Sequence, residues 1–222
     1  FFDKKSFLPF GYALDHKKAY ENNLGPNTGG MGCFTPSKLM NKNLEEQIYK
    51  NIIKKTFYGL KKDKIDYRGV VFFGLMIKKN KPYIIEYNVR FGDPECQTLL
   101  RDLKTDLLDI FLATIEDELS KIKISKYNMK VICVVLASLG YPGNYQKNKL
   151  LKNLDKVKKS NNREVFHAGT KLVKNKFYSN GGRVLCITAR STTLENARRI
   201  VYKTVKAINW KNGFYRKDIG IK

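Results

Sequence analysis

Ile84-Ile85-Glu86-Tyr87-Asn88-Val89-Arg90-Phe91-Gly92-Asp93-Pro94-Glu95 is the stretch on which the reading of this 222-residue chain turns. In an extended strand side chains alternate between faces, so Glu86, Asn88 and Arg90 share one face and Ile85, Tyr87 and Val89 take the other. A carboxylate and an amide carbonyl two residues apart offer hard oxygens to Mg²⁺, which takes one or two protein ligands and completes its shell with substrate phosphates and water. Arg90 beside them would steady the charge of a transferring phosphoryl group. The same alternation also describes the exposed polar face of a half-buried strand. Asp93, in the turn that follows, suits either a substrate amine or hydroxyl or the cap of the next helix.

Outward from this stretch, Gly69 to Ile77 is a nearly continuous apolar run, the pattern of a central strand covered on both faces. Lys78 to Lys81 forms a turn, and Tyr83 to Arg90 returns beside the first strand as a hairpin. Upstream, Leu44, Ile48, Ile52, Phe57 and Leu60 recur at helical spacing and predict an amphipathic helix over 43–62 with Asn43 as its cap. Downstream, Leu99, Leu103, Leu107, Ile110, Phe111 and Ile115 predict a helix over 94–119. Residues 1–14 read as a strand running into a loop, and 15–36, dense in Gly, Asn, Pro and Thr, as one long ordered loop. Beyond a charge-rich boundary at 120–128 come a strand at 129–137, a Gly140-Tyr141-Pro142-Gly143 turn and an irregular stretch at 144–163. Strands at 164–173 and 182–189 and a helix over 193–208 complete the chain. The fold class is α+β, with domains at 1–120 and 121–222.

Hydrophobic residues make up 42% of the chain and charged residues 28%, which places it among globular proteins and excludes disorder. No apolar run reaches the roughly 18–20 residues of a membrane span, and no secretory leader is seen. The four cysteines, Cys33, Cys96, Cys133 and Cys186, form no CxxC pair and no zinc pattern with His16 and His167. They read as reduced, small hydrophobes of a cytoplasmic protein. The net charge of +23 would ordinarily suggest a polyanionic partner. Yet 34 of the 43 basic residues are lysines spread along the whole chain, a solvated surface rather than an arginine-rich reading face for specific nucleic acid.

Gly25-Pro26-Asn27-Thr28-Gly29-Gly30-Met31-Gly32 offers backbone groups that a ligand can approach, although it lacks the Gly-Lys-Ser/Thr ending of a P-loop. Asp15-His16-Lys17-Lys18 sets an acid, an imidazole and two cations side by side, by itself the pattern of a solvated corner. His167, among strand-like apolar residues, reads as a hydrogen-bonded structural histidine.

Taken in order, Asp15 to Lys18, Gly25 to Gly32, Glu86 to Glu95, Gly140 to Gly143, Phe166-His167-Ala168-Gly169-Thr170, Gly181-Gly182-Arg183-Val184-Leu185 and Arg216 to Gly220 resemble the phosphoribosylamine–glycine ligase family. The likeness spans essentially the whole chain. It implies the C-terminal half of an ATP-grasp domain, an antiparallel sheet with packed helices, followed by a small α+β domain. It implies an enzyme of purine synthesis that joins glycine to 5-phosphoribosylamine while cleaving ATP to ADP and phosphate through a glycyl phosphate. On the motif positions, Glu86 and Asn88 would hold the Mg²⁺ or Mn²⁺ that bridges the ATP phosphates, and Arg90 would stabilise phosphoryl and acyl-phosphate charge. Asp93, Asn27, Thr28, Gly29, Gly30 and Met31 would border the glycine and phosphoribosylamine pockets, with Asp15 and Lys17 near the phosphates. One departure is Gly74, where ATP-grasp relatives such as biotin carboxylase carry a second metal-binding Glu. Family members are about twice as long, so the expectation is an N-terminally truncated chain that binds ATP poorly and does not turn over alone. A basic nucleic-acid-binding module and another ATP-grasp carboxylate–amine ligase are the competing readings.

Overall fold

The computed structural model describes residues 1–155, 157 and 160–221. The stretch expected to be one long loop holds four short strands, β1 (Leu14–Asp15), β2 (Lys18–Tyr20), β3 (Leu24–Asn27) and β4 (Gly32–Thr35). Strands of two to four residues are too short to show a period, and the turn between β2 and β3 runs through Asn22 and Asn23 at φ 57° and 56°. The expected amphipathic helix is present as α1 (Lys42–Ile48) and α2 (Lys54–Lys62), joined by one wide turn over Tyr49–Ile53. Its cap is Asn41, not Asn43: the Asn41 side chain accepts from Leu44 N at 3.0 Å.

The hairpin is β5 (Phe72–Lys78) and β6 (Lys81–Asn88), closed by Lys79 and Asn80, both at positive φ. The single helix expected over 94–119 is two, α3 (Glu95–Leu100) and α4 (Leu107–Ile115), because Asp106 caps a fresh start by accepting from Leu108 N at 2.9 Å. Next come β7 (Lys130–Ser138), β8 (Arg163–His167), β9 (Thr170–Val173), β10 (Lys176–Ser179), β11 (Arg183–Ser191), α5 (Leu194–Ile208) and β12 (Gly213–Phe214). The strand expected over 164–173 is thus β8 and β9. β10, which the sequence reading lacked, pairs with β9 across Lys174-Asn175. Of the stretch read as irregular, residues 156, 158 and 159 lie outside the described residues, and the others up to Asn162 carry no named strand or helix.

These elements form two compact units, each drawn from three runs of chain. The first comprises Phe1–Gly11, Ser37–Gly92 and Leu103–Tyr127. In it, Leu44, Ile48 and Ile52 present one helical stripe to Phe73, Leu75 and Ile77 of β5. A second cluster gathers Phe1, Ile110, Ala113 and Leu119 with Leu8, Phe10 and Phe91. The buried Asp3 carboxylate accepts from Leu119 N at 2.9 Å and from Lys5 N at 2.8 Å, so its charge is satisfied by backbone donors. β5 is not the doubly covered central strand that its apolar run suggests. Among the described residues it pairs only with β6, and its side chains are half-buried or exposed. A continuous apolar run shows that a strand can be buried, not that something covers it.

The second unit comprises Tyr12–Pro36, Asp93–Asp102 and the chain from Asn128 onward. Its sheet has the order β1-β4-β7-β11-β8, antiparallel throughout, with β12 also paired to β7. Eight consecutive residues of β7, Val131 to Ser138, bury almost completely because α5 packs on one face and α3 on the other. α5 contributes Ala197, Val201, Val205 and Ile208 to the main core, is capped by Thr193 on Asn196 N, and ends at Asn209 in the left-handed conformation. On the α3 side, Cys33, Cys133 and Cys186 sit free and buried against Val135.

Candidate functional site

The second unit holds a polar knot assembled from five of the motifs noted above. Asp15 ends β1 opposite Cys33 of β4, and the exchange of His16 N with Gly32 O and Met31 N with His16 O brings the 28–31 loop back over it. Thr28 stiffens this loop: its hydroxyl donates to Lys17 O at 2.8 Å and accepts from Gly30 N at 3.0 Å. Gly30 has φ +124°, and a Cβ there would lie 2.7 Å from Pro94 Cδ and 2.9 Å from an Asp15 carboxylate oxygen. Only glycine lets the loop, the Asp15 carboxylate and the start of α3 meet this closely.

Arg183, the first residue of β11, ties the knot. Its guanidinium donates to Gly29 O at 3.0 Å, to Gly30 O at 3.5 Å and to Asp93 O, and pairs with an Asp93 carboxylate oxygen at 2.8 Å. The other Asp93 oxygen accepts from Gln97 Nε2 at 3.0 Å. Gly29 N donates to the Tyr141 hydroxyl at 3.0 Å, and the Tyr141 ring lies where any side chain at Gly182 would have to go.

Below the loop the electrostatics are unusual. Asp15 pairs with Lys17 at 2.8 Å, yet burial outweighs that cation and raises its carboxyl above the ordinary range. Glu95, in the first turn of α3 and only 6% exposed, is pushed up to about 7, first by burial and then by the neighbouring Asp15 charge. The Cys33 thiol is pushed well up by the same surroundings and lies 2.8 Å from the Thr98 hydroxyl. His16 is lowered by burial and by Arg216. Arg216 is itself 1% exposed and neutralised by Asp218 at 2.6 Å, with Lys18 O and Asn23 Oδ1 as further acceptors.

In the first unit, Glu86 and Asn88 occupy alternate positions of β6, Glu86 exposed and Asn88 half-buried. Arg90 lies two residues past the strand's end rather than within it, its guanidinium donating to Phe91 O at 2.7 Å. Gly74 pairs with Glu86 across the hairpin, and a Cβ at 74 would come within 2.6 Å of Glu86 Cγ. The absent side chain at Gly74 is therefore the space that the Glu86 side chain fills. Glu86 and Asn88 suit a divalent cation that takes most of its shell from nucleotide oxygens. Among the described residues no group of three or more His, Cys, Asp or Glu is placed to hold a metal unaided.

The structure thus brings Asp15, Lys17, Thr28, Gly29, Gly30 and Asp93 together in the second unit, while Glu86, Asn88 and Arg90 belong to the first. Asn27 is exposed on β3, and Met31 is wholly buried, its main chain donating to His16 O and accepting from Val135 N. Sequence reasoning missed Glu95, Arg183 and Tyr141 as members of the knot. Arg183 and Tyr141 sat in stretches already singled out, whereas nothing local marks Glu95 as buried. His167 matches its structural reading, with Nδ1 3.0 Å from the Thr170 hydroxyl and its ring on Phe177.

The backbone resembles that of a biotin carboxylase domain from Hydrogenobacter thermophilus 2-oxoglutarate carboxylase, crystallised with MgADP and bicarbonate, at a TM-score of 0.60 and 13% identity over 90% of this chain and 42% of that one, a likeness of fold alone. The class is ATP-grasp, as the domain model that matches residues 1–96 describes it. Within it, the chain belongs to the phosphoribosylglycinamide synthetase family: the family's ATP-grasp (A) domain model matches residues 1–96 and its C domain model residues 131–222. A phosphoribosylamine–glycine ligase of Fusobacterium nucleatum is 42% identical over 98% of this chain and 51% of its own length. The crystal structure of the Thermotoga maritima phosphoribosylamine–glycine ligase superposes with a TM-score of 0.87 at 30% identity, over 98% of this chain and 53% of that one. The chain spans about half the length of these relatives.

Proposed function

We propose that this chain supplies the catalytic and amine-handling half of a phosphoribosylamine–glycine ligase, working with glycine, 5-phosphoribosylamine and ATP and completed by a further N-terminal half. The observation that carries the reading is the knot itself, since the segments that resemble the ligase motifs, far apart in sequence, meet around Asp15, Gly29–Gly30, Asp93 and Arg183. In this reading Glu86 and Asn88 hold Mg²⁺ or Mn²⁺ on the nucleotide phosphates, where the ion neutralises phosphate charge when bound. Arg90 steadies the charge of the phosphoryl group and of the glycyl phosphate. Lys17 and the 27–31 loop orient the phosphate-bearing substrate, and Asp93 holds a substrate amine or hydroxyl while Arg183 fixes its carboxylate. The place of work is the cytoplasm, with no specific nucleic acid and no membrane partner. No helix among the described residues is long and apolar enough to cross a membrane.

The test is glycine-dependent release of ADP from ATP by the full-length protein, with and without Glu86→Ala. Glycine-dependent ADP formation that falls by two or more orders of magnitude on that substitution supports the reading. ADP release indifferent to glycine, or indifferent to Glu86, refutes it. A second expectation concerns the 222-residue chain alone, which should bind ATP weakly and turn nothing over.

A further inference from the structure

Every charged side chain of the knot except one has an ionic partner: Asp15 has Lys17, and Asp93 has Arg183. Glu95 has none among the described residues, although it is buried. Its position follows from the packing of α3. Thr98, one turn on along the same face, touches Cys33, and Cys33 stands opposite Asp15 in the β1–β4 register. Gly30 packs against both Pro94 and Asp15, so the glycine loop meets the start of α3 beside that carboxylate.

We propose that Glu95, working as a pair with Asp15, is the group that takes the proton from the attacking amine when the amide bond forms. The proposal rests on the ligase reading and adds to it a residue and a step. The nitrogen lone pair forms the new C–N bond to the acyl carbon of the glycyl phosphate. The C–O bond to phosphate breaks and its electron pair leaves on the phosphate. The surplus proton on nitrogen passes to the Glu95 carboxylate, and from there to solvent. The charges facing Glu95 are Asp15 from β1, Lys17 just beyond it and Asp93 from the preceding turn, with Arg183 of β11 acting on Asp15 and the thiols of Cys33 and Cys96 nearby. Burial makes Glu95 basic enough to accept and the Asp15 charge adds to it, in keeping with a proton affinity close to neutrality.

The experiment compares two nucleophiles in the full-length protein. Hydroxylamine is a small, strongly reactive nucleophile that captures acyl phosphates in plain water, with solvent taking the surplus proton, and so forms glycine hydroxamate without the proposed acceptor, whereas phosphoribosylamine capture draws on it. Glu95→Gln is expected to lower the ratio of phosphoribosylamine-dependent to hydroxylamine-dependent turnover by at least about tenfold, toward the ~10²-fold typical of general-base loss. Asp15→Asn is expected to move the acid limb of the phosphoribosylamine rate profile to lower pH, a displacement that a merely structural role for the pair would not produce. An unchanged ratio in Glu95→Gln, or an unmoved limb in Asp15→Asn, overturns the proposal while leaving the ligase reading intact. Absence of any glycine hydroxamate from the unaltered protein instead overturns the ligase reading and this step with it. Should Glu95→Gln fail to fold, carboxyl ¹³C NMR of the unaltered chain decides: titration of Glu95 near neutral pH supports the proposal, and titration in the ordinary carboxylate range overturns it.

Discussion

Replacing Glu95 by glutamine should stabilise this protein above neutral pH and not below pH 5. The carboxyl is raised from 4.5 to about 7 by burial and by Asp15, so the folded state binds a proton that the unfolded state has released. Where the native state holds more protons, stability falls as pH rises. The cost begins near pH 4.5, grows through the window up to about 7 and is complete above it. At 1.36 kcal/mol for each pH unit of displacement, two and a half units amount to about 3 kcal/mol. Part of this is recovered by Asp15, which shares the proton, and burying the glutamine amide costs something, so a gain of about 1–2 kcal/mol is expected. Urea unfolding of both proteins at pH 5 and pH 8, followed by a probe in the second unit such as Trp210 fluorescence, measures the difference at each pH. A Glu95→Gln chain no more stable than its parent at pH 8, or equally stabilised at both pH values, refutes the argument that this carboxylate is held ionised against its surroundings.

Gly30→Ala should destabilise the second unit by about 2–3 kcal/mol, since the alanine methyl must displace Pro94 or the Asp15 carboxylate from a backbone that disfavours any side chain; equilibrium unfolding checks it. Asp218→Asn leaves the Arg216 guanidinium, 1% exposed, without its counter-charge and should cost about 3–5 kcal/mol by the same measurement. Thr193→Ala removes the α5 cap and should lower stability by about 1 kcal/mol. Gly74→Ala should weaken Mg²⁺-dependent nucleotide binding in the full-length protein by displacing the Glu86 side chain, read as a raised Kd in calorimetry with the fold retained.

How far these features could be read beforehand depends on the length over which a pattern repeats. The hairpin was legible because two apolar runs flank a lysine-rich turn, Glu86 and Asn88 because they alternate with Ile85, Tyr87 and Val89, and α5 because its apolar stripe runs for four turns. β1 to β4 were not, since each is shorter than any period that could announce it and their glycines look like loop. The break between α3 and α4 was hidden because Leu99, Leu103 and Leu107 keep helical spacing through residues that are not helical; only the Asp106 cap betrays it. Glu95 stayed invisible for a different reason. A glutamate at the start of a helix is ordinarily a solvated partner of the helix dipole, and its burial arises from chain segments eighty residues before it and more than thirty after it.

Arg183 grips main-chain oxygens at Gly29, Gly30 and Asp93, and only one of its partners is a side chain. A tie of this kind is blind to the identity of what it holds. Side chains on the rim can be exchanged without loosening the clasp, provided that the backbone path is kept and the arginine remains. Variation should therefore be tolerated around the knot and punished at its fastener, and selectivity for a new amine would be sought by altering the rim.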